Sequence, residues 1–281
     1  PFMVSNCIKY RAISKVPTVL ILHNAQYQGQ FGWDKLYYIP AFDLWKGGLL
    51  GWDDAINPLA SAIKCAWRVT TVSPSYLEEM MDNARGLESL LRQERWKSVG
   101  ILNGIDNEVW DPATDPMLAK GYNLKTVESG KAANKKALCD VFQLDSSKPL
   151  FTFIGRLVDE KGADLLPDIF YTALQQHGDA INVLVLGSGD NWVEGRLNQL
   201  KDIYGGKYNA YIGYNEQVSH EMYAGADFLL MPSRVEPCGL NQLYALRYGT
   251  VPIVRRVGGL RDTVIDIGDG GFGLCHDQTS I

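Results

Sequence analysis

The chain has 281 residues, enough for about two domains of ordinary size. Hydrophobic residues make up 46% and charged residues 21%, the balance of a globular protein with a packed core rather than a disordered or fibrous chain. A net charge of −5 argues against non-specific binding to nucleic acid, yet leaves room for a phosphorylated ligand held by local cations.

Residues 17–22 form a β-branched and aliphatic run that predicts a buried strand, ending in His23-Asn24. Residues 27–51 are rich in Gly, Tyr and Trp without a clean period, which predicts a long structured loop with short helical pieces. Their aromatic rings suit two roles equally: platforms for sugar rings, or the core of a loop-rich subdomain. Asn57 as N-cap and Pro58 at the first helical position open a helix to about residue 67. A strand follows at 69–73, a helix at 74–81 and a strand at 98–102, ending in Asn103-Gly104. Residues 106–125 hold two prolines, several acids and little periodicity, and are the expected connection between domains. Residues 131–142 are helical.

From residue 149 the pattern becomes regular. Strands at 150–154, 181–186, 208–212, 228–231 and 251–254 alternate with helices at 163–177, 192–203, 216–224 and 240–248. That alternation predicts βαβ units on a parallel sheet. Five scattered cysteines (Cys7, Cys65, Cys139, Cys238, Cys275) form no C-x-x-C pair, which points to reduced, mostly buried thiols rather than disulfides or a zinc site. No apolar run reaches the ~18 residues that span a bilayer, and the start shows no signal-peptide pattern. The beginning at Pro1-Phe2-Met3 and the stop after a Gly-rich turn, without a closing helix, are those expected of a fragment.

Three places carry chemistry. In the first, the strand at 228–231 hands over to a helix through Pro232-Ser233-Arg234-Val235-Glu236-Pro237-Cys238-Gly239. Open α/β sheets bind ligands outside the carboxyl ends of their strands, and unpaired backbone N–H groups at a helix start favour an anion. Glu236 is the carboxylate in that turn; alone it reads equally as an exposed loop acid. In the second, Gly155-Arg156-Leu157 and then Lys161-Gly162 follow a strand and open a helix. Arg and Lys held on one turn suit a diphosphate, the first as a bidentate fork and the second as a point charge; a solvated surface pair is the plain alternative. In the third, Gly187-Ser188-Gly189 follows a strand, but Trp192 stands where a dinucleotide motif has its last glycine. A tight turn beside a nucleotide pocket is expected there. Taken alone, His23 reads as structural or solvated, Asn103 as a turn residue before glycine, and Tyr214 as simple packing.

The run Ser233-Arg234-Val235-Glu236-Pro237-Cys238-Gly239-Leu240, then Gln242-Leu243-Tyr244, Arg247-Tyr248-Gly249-Thr250 and Gly258-Gly259-Leu260-Arg261-Asp262-Thr263-Val264, resembles the donor-site signature of bacterial glycogen synthases and plant starch synthases. The resemblance extends along essentially the whole chain. It implies an α/β fold of GT-B architecture: two Rossmann-like domains with mostly parallel sheets facing across a cleft. Residues 1–110 would be an incomplete N-terminal, acceptor-side domain. Residues 111–281 would be the linker and the C-terminal nucleotide-sugar-binding domain without its last helix.

The implied reaction is transfer of glucose from ADP-glucose to the non-reducing end of an α-1,4-glucan, with retention, by a hexosyltransferase of the cytoplasm or a plastid that needs neither cofactor nor metal. By resemblance Arg156 and Lys161 contact the diphosphate, and Glu236 bonds a hydroxyl of the donor glucose. His23, within His23-Asn24-x-x-Tyr27-Gln28-Gly29, contacts its 6-hydroxyl, with Asn103 near the same sugar. Tyr214 stacks on the adenine, while the turn Cys238, Gly239, Leu240, Asn241 holds sugar and phosphate oxygens. Tyr244 takes a position that is Glu in many related glycosyltransferases, a departure the synthases share. Lys46-Gly47-Gly48-Leu49 imitates a synthase loop but lies downstream of the His-Asn motif, so it is not assigned to the site. The alternatives are a non-catalytic glucan- or nucleotide-binding fragment and another GT-B nucleotide-sugar transferase. A phosphorylase-like enzyme lacks its pyridoxal-phosphate lysine motif here, and a nicotinamide oxidoreductase lacks its glycine fingerprint.

Overall fold

The computed structural model describes residues 1–277, and the chain divides into two compact units, Pro1–Asn103 and Gly104–Ile281. In the first unit the elements run α1 (Phe2–Asn6), β1 (Val19–Leu22), β2 (Gly51–Trp52), β3 (Ala55–Ile56), α2 (Pro58–Cys65), β4 (Arg68–Thr71), α3 (Pro74–Met80), α4 (Glu88–Gln93) and β5 (Ser98–Gly100). Strands β1, β4 and β5 pair in parallel in that order, and β2–β3 is a short antiparallel hairpin. The caps behave as their chemistry requires. Asn57 Oδ1 accepts from Ala60 N–H at 2.9 Å to open α2, and Ser73 Oγ accepts from Tyr76 N–H at 3.1 Å to open α3.

Strand β1 departs from the expectation of a buried strand: Val19 and Ile21 are exposed and only Leu22 is fully covered. It is an edge strand with alternating side chains, so one face is left open. Residues 27–51 do hold short helical pieces, 3₁₀ turns at Trp33–Tyr38 and Leu44–Leu49. Their aromatic rings divide by burial. Phe31 and Phe42 pack with Phe2, Leu50 and Ile56, while Tyr37, Tyr38 and Trp45 stand exposed.

The second unit runs α5 (Val127–Phe142), β6 (Leu150–Leu157), α6 (Leu166–His177), β7 (Asn182–Gly189), α7 (Asn191–Ile203), β8 (Tyr208–Ile212), α8 (Glu216–Gly225), β9 (Phe228–Met231), α9 (Asn241–Arg247), β10 (Val251–Arg255), α10 (Gly258–Thr263) and β11 (Leu274–His276). All its strands are parallel, in the order β11-β10-β9-β6-β7-β8. The chain enters at the middle, winds outward through β7 and β8, then returns to the other side of β6 at β9. This is the Rossmann strand order, with its reversal between β6 and β9. Along β7, Val183 and Val185 join a core with Phe170 and Leu197, while Leu184 and Leu186 join another with Leu138 and Met222. Helices therefore cover both faces, each fully buried aliphatic side chain contributing about 1.5–3 kcal/mol.

Two expectations change in this unit. Strands β6 and β7 run on together, with Gly155 opposite Gly187, Arg156 opposite Ser188 and Leu157 opposite Gly189. Both glycine segments are thus strand ends rather than turns. Glycine is required there because a Cβ at residue 187 would collide with the Gly155 carbonyl. Residues 106–125 are no free connection. Trp110 and Tyr122 pack into the core beside Tyr223 and Tyr248, and the Tyr122 hydroxyl donates to Tyr248 O at 2.8 Å. The rings are too far apart in sequence to show a period, which hid this packing. Among the described residues no helix is long and apolar enough to cross a membrane, and all five cysteines are free, three of them buried.

Candidate functional site

The reversal of strand order between β6 and β9 leaves a crevice at their carboxyl ends, and the predicted residues converge on it. Arg156 is next to last in β6. The chain then makes a 3₁₀ turn, Asp159–Lys161, closed by Gly162 at φ 66°. A side chain at 162 would run into the Pro232 carbonyl, so the turn after β6 lies directly against the loop after β9. Backbone bonds tie the two: Arg234 N–H and Val235 N–H both donate to Glu160 O, at 2.9 and 3.2 Å. The Arg234 guanidinium adds a fork to Asp164 at 2.5 and 2.8 Å, which holds that carboxyl below the usual range.

This stitching aims Lys161 at Glu236. Lys161 Nζ lies 2.5 Å from Glu236 Oε2, and Ser233 Oγ donates to the same oxygen at 3.0 Å. The Glu236 side chain is 5% exposed and that of Lys161 24%. Glu236 Oε1 takes no bond from a described residue, and Glu236 lines the cavity above it. Arg156 is 60% exposed and keeps a loose pair with Glu160 at 3.5 Å. Behind the loop, Gly239 turns at φ 73°, Asn241 Nδ2 donates to Ile154 O at 2.7 Å, and Gln242 Nε2 donates to the carbonyls of Cys238 and Gly239.

Two cavities meet here. One of about 230 Å³ is lined by Arg156, Lys161, Ser233, Glu236, Gly239 and Leu240. The other, about 330 Å³, is lined by Tyr214, Tyr244, Trp110, Tyr223, Ser188 and Glu216. Ile154, Gly155, Arg156 and Asn241 border both. The first is small and charged; the second is aromatic. Tyr214 projects from the loop after β8, 84% exposed. Burial pushes the Tyr244 and Tyr223 hydroxyls up, so both stay protonated.

Of the predicted residues, Arg156, Lys161, Tyr214, Glu236, Gly239, Leu240, Asn241 and Tyr244 line these two cavities. Cys238 lines neither; it is buried under the loop, against Gly259. His23 and Asn103 belong to the first unit, where both are exposed. The Lys46 segment is a local 3₁₀ turn with Lys46 beside Asp43 at 3.5 Å. Trp110 and Tyr223 are not among the residues expected from sequence, and Ser233 enters there only as part of the turn and signature run. Ser233 had a signal in its spacing, three residues before Glu236; Trp110 sits in the aperiodic segment and had none. Among the described residues no group of three or more His, Cys, Asp or Glu is placed to hold a metal ion.

Comparison with known proteins assigns this geometry to a family. Residues 134–280, just over half of the chain, match glycosyl transferases group 1. The chain belongs to that family. Residues 1–93 match the starch synthase catalytic domain. A glycogen synthase of Flavobacterium johnsoniae is 58% identical over 281 residues, covering all of this chain and 59% of that protein. One from Lacticaseibacillus casei is 44% identical over 258 residues, covering 89% of this chain and 53% of that protein. Among solved structures, the catalytic domain of Starch Synthase IV from Arabidopsis thaliana, bound to ADP and acarbose, superposes with a TM-score of 0.87 at 32% identity, covering 98% of this chain and 59% of that one. Along its length the chain is similar to glycogen and starch synthases, shares the GT-B class of fold with that starch synthase structure, and spans a little over half the length of the relatives it matches.

Proposed function

We propose that this chain carries the donor site of a glucan synthase that transfers glucose from ADP-glucose to the non-reducing end of an α-1,4-glucan, with retention and without a metal. The observation that carries the reading is the continuity of the charged cavity of Arg156, Lys161 and Glu236 with the aromatic one at the β6/β9 crevice. A diphosphate fits at the shared border, with the nucleoside toward Tyr214 and the sugar toward Glu236. The ADP held by the starch synthase IV structure supports an adenine nucleotide. The locations that suit this reading are bacterial cytoplasm or a plastid.

The chemistry follows from charge. As the C1–O bond to the diphosphate breaks, negative charge grows on the leaving oxygen, and the Arg156 guanidinium and Lys161 ammonium stabilise it. Glu236 is the one carboxylate lining the smaller cavity among the described residues, and Lys161 and Ser233 both hold its Oε2. That leaves Oε1 to accept a bond from a sugar hydroxyl, the role the family resemblance implies, and the sequence shows no obvious carboxylate nucleophile of the retaining-glycosidase kind. In the reading supported here the acceptor hydroxyl attacks on the face the diphosphate leaves. The new C1–O bond forms as the old one breaks, and the hydroxyl proton passes to the leaving phosphate oxygen. The share of its relatives that the chain spans favours a second reading, a nucleotide-binding piece that does not turn over alone.

The test is transfer of labelled glucose from ADP-glucose to maltoheptaose, by this chain and by a chain extended to the length of its relatives. The reading expects the extended chain to add α-1,4-linked glucose and Glu236→Ala to abolish addition. Hydrolysis alone, or a β-linked product, would rule it out.

A further inference from the structure

Behind the aromatic cavity lies an arrangement that the donor contacts do not use. The Trp110 ring is sandwiched: the Tyr244 ring stacks on one face at 3.7 Å between centroids and 17°, and the His220 ring on the other at 3.9 Å and 17°. Tyr244 and Trp110 both line the cavity, whereas His220 is 1% exposed and sits behind them. His220 is not loose packing. Its Nδ1 lies 2.7 Å from Asp115 Oδ2, which also accepts from the Tyr248 hydroxyl at 2.5 Å, and Met117 N–H donates to Asp115 Oδ1 at 2.9 Å. A carboxylate that accepts from all these donors has one orientation, and it fixes the imidazole plane. Tyr223 closes the edge of the stack, its ring at 81° to that of Trp110. Trp110 itself comes from the segment 104–125, held by Trp110 N–H to Asp106 O at 2.9 Å and Arg247 Nε to Trp110 O at 3.2 Å.

We propose that Trp110 is a positioning residue of the donor site: with Tyr244 it forms the inner wall of the nucleoside cavity, and the Asp115–His220 pair locks the plane of that wall. The proposal rests on the donor reading above and deepens it. Tyr214, Tyr244 and Trp110 line the same slot, and with both faces of the indole covered by Tyr244 and His220, Trp110 acts by backing the Tyr244 ring that a planar base would meet. Exchanging a rigid indole for a flexible side chain widens the slot and releases Tyr244, so the cost falls on nucleotide affinity.

The experiment titrates this chain and its Trp110→Leu and Trp110→Phe variants with ADP, by calorimetry and by tryptophan emission, with near-ultraviolet circular dichroism to check folding. The expected result is ADP binding by the wild type, weaker by about tenfold in Trp110→Leu and restored to within about threefold in Trp110→Phe. The emission change on adding ADP is expected to be largely absent from Trp110→Phe, a signature that a merely structural role would leave in place. A folded Trp110→Leu with wild-type affinity, or a full emission change in Trp110→Phe, overturns the proposal while the donor reading stands. Should Trp110→Leu fail to fold, the Trp110→Phe emission decides. Failure of the folded wild type to bind ADP overturns the donor reading, and this wall with it.

Discussion

Lys161 and Glu236 meet where neither is well solvated, and their pairing decides what each can do for a ligand. Lys161 is paired with the carboxylate, so a diphosphate bound there would have to share it, and Arg156, whose ion pair with Glu160 is loose at 3.5 Å, is the more available cation. Neutralising the carboxylate frees the ammonium: Glu236→Gln is expected to bind ADP at least as tightly as the wild type while losing glucosyl transfer. Lys161→Ala is expected to weaken ADP about tenfold and to cost about 2 kcal/mol of stability, because Glu236 stays buried without its cation. Denaturant melts and calorimetry on the pair of variants check both. Lys131 offers a pH prediction. Its ammonium donates to Ala224 O, Tyr248 O and Thr250 Oγ1, closing the ends of α8 and α9, and burial pushes its pKa from 10.5 down to about 8. Between those values the unfolded chain binds the extra proton, so this group's contribution to stability rises with pH through that window. The stability of the wild type minus that of Lys131→Met is expected to grow from pH 8 to pH 10; a flat difference in pH-resolved melts would contradict it.

At the scale of elements, the site is a product of two loops that fit only because glycine stands at their contact. Gly162, at φ 66° and against the Pro232 carbonyl, is expected to be intolerant: Gly162→Ala should cost about 2–3 kcal/mol and weaken ADP, since moving either loop separates Lys161 from Glu236. An unchanged melting temperature would show the contact to be slack. The elements that sequence made legible were those whose signals are local. The caps at Asn57 and Ser73, the strands at 208–212 and 228–231, and the alternation of β6 to β10 with helices all depend on neighbours along the chain. What stayed hidden depends on tertiary contact. The last residues of β6 and β7 look like Gly-rich turns until each strand lies beside the other. Trp110 looks like linker until Tyr244 and His220 close on it. The short strand β11 has too few residues to carry a period.

Across the whole molecule, each unit has its own core, and every residue described as lining the two cavities lies in the second. A chain of residues 104–281 is therefore expected to fold and to bind ADP within about threefold of the complete chain. Gel filtration and calorimetry check this, and loss of binding in a folded 104–281 would assign part of the nucleotide site to residues 1–103. The fold class was legible because alternating strands and helices admit few topologies. The pairing of Arg156, Lys161 and Glu236 in one cavity was legible only through family resemblance, since 75 residues separate Lys161 from Glu236.

Whether the β6/β9 crevice holds an adenine nucleotide is decided by binding. The most direct measurement is calorimetric titration of the complete chain with ADP, UDP and NAD, repeated on an Arg156→Ala, Lys161→Ala double variant. Saturable ADP binding, weak UDP binding, none for NAD, and loss of the ADP signal in the double variant are expected. ADP binding that survives both substitutions, or no binding by the folded wild type, would contradict an adenine-nucleotide site in the crevice.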